Sequence, residues 1–148
     1  SYGELESKLT AISARRDTAH AEIKRVESRS TELALVMKHA GTYRQLKPLY
    51  DRYRKSNDKE KFLRGHESKI ILFEAAAREL KRLGAVPMPT TESMKTELAN
   101  LNAEKERLLA EYKAARTEAQ EYDTVKQNVD ALLTVPKEQE QQRRHELE

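Results

Sequence analysis

Residues 4–40 carry a seam of alternating four- and three-residue spacings: Leu5, Leu9, Ile12, Arg16, Ala19, Ile23, Val26, Ser30, Leu33, Met37 and Ala40. That alternation is the a/d pattern of a coiled-coil seam, with Arg16 and Ser30 as its polar interruptions. Neither Gly nor Pro falls within the run. The pattern predicts one long helix over 4–40. A helix of this kind buries its stripe only against a partner, because an isolated one gains too little from its own hydrogen bonds.

Gly41 and Thr42 follow. Gly suits the left-handed position after a helix, and Thr suits the cap of the next, so a break is expected here. Residues 43–55 then form a short helical segment with Leu46, Leu49, Tyr50 and Tyr53 on one side and Pro48 inside it. Proline there implies a kink, or a helix start near Lys47.

Ser56, Asn57 and Asp58 are N-cap candidates for a third helix over 58–83. Its stripe is Phe62, His66, Ile70, Phe73, Ala77 and Leu80, widened by Ile71, Ala76 and Leu83. Gly84 is placed to end it, and Ala85–Pro89 reads as an extended connector, since proline disfavours helix in the residue before it. Thr90 or Thr91 caps a fourth helix over 91–133. Its seam is Met94, Leu98, Leu101, Lys105, Leu108, Tyr112, Ala115, Ala119, Tyr122, Lys126, Val129 and Leu133. Pro136 is expected to stop it. Residues 137–146 have no apolar member and read as a disordered tail, and Leu147-Glu148 as a vector scar. With Ser1 in place of Met, the chain reads as a domain excised from a longer protein.

The fold class expected is therefore all-α. It is an elongated, coiled-coil-like helical bundle over residues 1–136, with two long helices and two shorter ones. Composition agrees: only 4 Gly and 4 Pro stand in 148 residues, too few for the many turns of a β or α/β fold. Charged residues reach 36%, which suits narrow buried stripes rather than a deep core. The two long seams can bury each other, and a homodimer through the remaining stripe is a further expectation. No apolar run approaches the ~18 residues that span a bilayer, so no membrane insertion is expected. A cytoplasmic location is expected as well.

The chemistry is sparse. Zero Cys removes disulfides and thiolate ligands or nucleophiles. The four His have no metal-binding spacing among them. His66-Glu67 begins like a zinc-protease helix, but Ile70 stands where the second ligand belongs. A structural role within the apolar stripe is favoured for His66. Acidic pairs such as Glu104/Glu106 arise without function in so charged a chain. No phosphate loop, Ser elbow or nucleotide fingerprint is found. No catalytic residue, cofactor or metal is expected.

Charge is the one concentrated signal. Residues 42–84 hold 12 basic and 6 acidic groups, whereas residues 85–148 hold 9 and 13. Within that middle third lie Arg44, Lys47, Arg52, Arg54, Lys55, Lys59, Lys61 and Arg64, opposed by Asp51, Asp58 and Glu60. Tyr43, Tyr50 and Tyr53 are interleaved. Basic groups contact phosphates and rings stack on unpaired bases, so these eight are the candidate nucleic-acid contacts, to single- or double-stranded DNA. The competing reading is a solvated basic face with packed rings, and the shared helix face of Leu46, Tyr50 and Tyr53 favours packing for the rings.

Several stretches carry a family likeness. These are Leu46-Lys47-Pro48-Leu49-Tyr50-Asp51-Arg52-Tyr53, Lys59-Glu60-Lys61-Phe62, His66-Glu67 and Ile70-Ile71-Leu72-Phe73-Glu74-Ala75-Ala76. Leu98-Ala99-Asn100-Leu101-Asn102-Ala103-Glu104-Lys105, Glu111-Tyr112-Lys113 and Asn128-Val129-Asp130 follow. The order resembles the C-terminal helical region of relaxases, the mobilisation nucleases of plasmids and integrative conjugative elements. The likeness spans about residues 5–133. It implies a cytoplasmic setting in conjugation, downstream of a nuclease domain that nicks DNA at the transfer origin. That domain carries a Tyr nucleophile and a His-bound metal; its His-hydrophobic-His motif does not occur here, and Tyr2, Tyr50 and Tyr53 are not taken as nucleophiles. The function expected is non-catalytic support of DNA processing, through DNA contacts or through docking of relaxosome or coupling proteins. The alternative is a purely structural coiled-coil oligomerisation module.

Overall fold

The computed structural model describes the backbone of residues 1–147 and the side chains of residues 1–134. Among the described residues there are three α-helices and no strand: α1 (Tyr2–Lys55), α2 (Lys59–Arg82) and α3 (Thr91–Leu147). The all-α helical-bundle class holds.

The helix count is corrected at Gly41. Helices expected over 4–40 and 43–55 are one helix, α1. Gly41 does not take a positive φ, and the Thr42 hydroxyl donates back to the Lys38 carbonyl at 3.3 Å instead of capping a new start. Glycine in a helix interior costs only about 1 kcal/mol. Packing on both sides of it outweighs that: Ala40 is fully buried, and the Tyr43 ring stacks on Phe73 at 4.8 Å. Pro48 likewise lies inside α1, in the stretch held by this packing. α3 also differs from the expected end at 133 and carries on past position 136. The tail and scar expected at 137–148 lie outside the described side chains.

Two compact units divide the chain: Ser1–Lys24 with Lys105–Glu148, and Arg25–Glu104. In the first, α1 and α3 pair antiparallel. Glu6 meets Lys126 at 3.9 Å, Arg15 donates to Glu118 at 3.0 Å, and the His20 and Tyr112 rings lie 5.8 Å apart. The core there is Ile12, Ala115 and Ala119, with Leu9 and Tyr122 packed against it. The small Ala115 and Ala119 leave room for Ile12, Leu9 and Tyr122 to pack between the two helices.

In the second unit, residues 25–55 of α1 face both α2 and the start of α3. Val26 and Leu33 are its most deeply buried large side chains. Arg29 and Arg25 of α1 reach Glu97 and Glu104 of α3. The stripe of α2 is buried at Ile70, Phe73 and Leu80 and half-buried at Ala77; Ala76 widens it, but Ile71 is 53% exposed and does not. Leu133, the last expected seam residue of α3, is 60% exposed.

The helix ends follow their chemistry. The Asp58 carboxylate accepts from the Lys61 amide at 3.1 Å and caps α2. At the other end Gly84 takes φ +71, its amide donates to the Lys81 carbonyl, and the Ala85 amide donates to the Leu80 carbonyl. Those two bonds are a Schellman close, with Leu80 and Ala85 both buried beside it. The Thr90 hydroxyl accepts from the Ser93 amide at 3.1 Å and caps α3.

Candidate nucleic-acid interface

The corner between α1 and α2 gathers six of the eight expected contacts. Arg52, Arg54 and Lys55 form the last turn of α1, where cations complement the negative end of the helix dipole. Lys59, Lys61 and Arg64 lie in the first two turns of α2, only a three-residue link away. All six are exposed. Arg54, Lys55, Lys59, Lys61 and Arg64 have no ion pair among the described residues. Their acidic neighbours are largely occupied. Asp51 is paired with Lys47 at 3.2 Å, and Asp58, still charged, accepts from the Lys61 amide as the helix cap. Glu60 is the remaining carboxylate of the corner.

The other two expected contacts have a different job. Arg44 donates to the Thr91 hydroxyl at 2.6 Å and to the Pro89 carbonyl at 2.8 Å. It clips α1 to the connector that starts α3. Lys47 is engaged by Asp51 and lies 6.0 Å from the centre of the Tyr43 ring. Charge counting alone missed this division. The signal for Lys47 was legible, because Asp51 stands four residues on, the helical ion-pair spacing.

The rings are packed, as their shared helix face predicted. A continuous ladder joins α1 to α2. Tyr43 and Tyr50 both stack on Phe73, at 4.8 and 4.3 Å between centroids. Tyr50 meets Tyr53 at 5.9 Å, Tyr53 meets Phe62 at 6.0 Å, and Phe62 meets His66 at 4.6 Å. The Arg52 guanidinium covers Phe62 at 5.7 Å. His66 is half-buried on the stripe of α2, at a kink where its backbone leaves helical geometry (φ −138, ψ 18). Gly65 precedes it, a usual setting for a kink.

Tyr2 is a phenol of a different character. Its hydrogen bond to Asp130, aided by partial burial and the negative charges of Asp130 and Glu6, pushes its pKa up to about 12. No cluster of three or more His, Asp or Glu able to hold a metal occurs among the described residues. No helix among them is long and apolar enough to cross a membrane. Compared with known proteins, the chain matches no family model, no curated protein and no solved structure.

Proposed function

We propose that this chain is a non-catalytic, nucleic-acid-handling helical region that serves a conjugative relaxase, holding DNA through the α1–α2 corner. One observation carries the reading: six exposed cations converge on one corner that holds only two carboxylates, Asp58 and Glu60, beyond the Asp51 already paired with Lys47. The field of such a cluster is not cancelled locally, and phosphate is the ligand it attracts. The relaxase setting rests on the family likeness of residues 5–133, and docking of relaxosome or coupling proteins belongs to the same reading.

Fluorescence anisotropy with labelled oligonucleotides tests it. Binding at low salt, reduced when Arg54, Lys55, Lys59 and Lys61 are changed together to Gln, is the expected result. Absence of binding at low salt refutes it.

A second reading, a structural oligomerisation module, is favoured by one feature. In the first unit two helices alone form the core, and Leu109, Val125 and Leu132 stay 45%, 48% and 72% exposed. Light scattering across protein concentration separates the two, since self-association through apolar faces persists in high salt.

A further inference from the structure

Resting on the DNA-contact reading above, the geometry points to double-stranded DNA as the ligand of the α1–α2 corner, gripped through its phosphates without regard to base sequence. Single-strand binders combine a basic groove with free aromatic faces on which bases stack. This corner has the charge and lacks the faces. Tyr50 lies between Phe73 and Tyr53, Tyr53 leans on Phe62, and Phe62 is flanked by His66 and covered by Arg52. Every ring near the cations is committed to holding α1 against α2. Freeing one for a base would dismantle the packing that positions the cations.

What remains for recognition is charge alone. Duplex DNA presents one phosphate charge per ~1.7 Å of axis, a denser array than a single strand. The cations are split three and three between the end of one helix and the start of the next, so no single helix presents a row of them to a groove for base readout. Asp51 and Asp58, two of the polar groups that could shape such readout, are turned to Lys47 and to the Lys61 amide. Phosphate contacts fix position and carry no sequence information.

The test uses the full 148-residue chain. Its anisotropy is measured with a duplex of about two helical turns (~21 base pairs), with one strand of that duplex, and with a second duplex of unrelated sequence. Four to six phosphate contacts predict a log–log salt slope of about −3.6 to −5.4, a loss of ~10²–10³ in affinity between about 50 and 200 mM salt. The two duplexes should bind equally, and both more tightly than the single strand. Tighter binding of the single strand, or clear preference for one duplex, overturns the inference while leaving DNA contact standing. Failure to bind any of the three at low salt overturns the DNA reading itself.

Discussion

Arg29 and Glu97 form a two-pronged pair between α1 and α3: Nε donates to Oε1 at 2.6 Å and Nη2 to Oε2 at 3.1 Å. The paired guanidinium holds the Glu97 carboxyl below its ordinary value of 4.5, against a smaller opposing effect of burial. Both side chains remain 40% exposed, so solvent screens the pair and its contribution is about 0.5–1 kcal/mol. A lowered carboxyl pKa gives stability that is present above the unfolded value and is lost as pH falls through the folded one. Glu97→Gln should therefore lower stability at pH 7 and flatten the acid limb below 4.5. Urea titrations across pH measure both.

Arg44 separates fold from binding. Arg44→Ala removes the bonds to Thr91 and Pro89 and should cost about 1 kcal/mol, with oligonucleotide affinity unchanged. A loss of affinity with no loss of stability would return Arg44 to the contact surface.

Glycines 41 and 84 should respond in opposite directions to alanine. Gly41 is helical, exposed and has no atom within 4 Å of an added Cβ, so Gly41→Ala should stabilise by about 0.5–1 kcal/mol. Gly84 has equal space but φ +71, so Gly84→Ala should destabilise by about 1–2 kcal/mol. Thermal melts of the two variants give the comparison.

Ala115 is 1% exposed at the core of the antiparallel pair. Ala115→Leu should force the helices apart and cost about 1–3 kcal/mol. The same change at exposed Ala110 should cost under about 0.5 kcal/mol, and denaturant unfolding distinguishes them.

The seams were legible because burial follows them closely. All eleven positions from Leu5 to Ala40 are buried or half-buried, Arg16 and Ser30 included. The caps at Asp58 and Thr90 and the close at Gly84 were legible for the same local reason: each residue satisfies a backbone group within a few positions. Gly41 misled because its cost is small and the compensation comes from Phe73, thirty-two residues on. The division of the basic segment was half legible. Lys47–Asp51 is a sequence-local pair, whereas Arg44 meets a connector 45 residues away that no spacing rule connects to it.

The ring ladder also makes this corner its own optical reporter. The chain has no Trp, and three of its six Tyr lie in the ladder, two of them face to face with Phe73. Near-ultraviolet circular dichroism arises from rings held in fixed asymmetric surroundings. Loosening of α1 from α2 will remove much of that signal while the far-ultraviolet helix bands persist. The seating of α2 on α1 can then be followed on the unlabelled protein, separately from the melting of its helices.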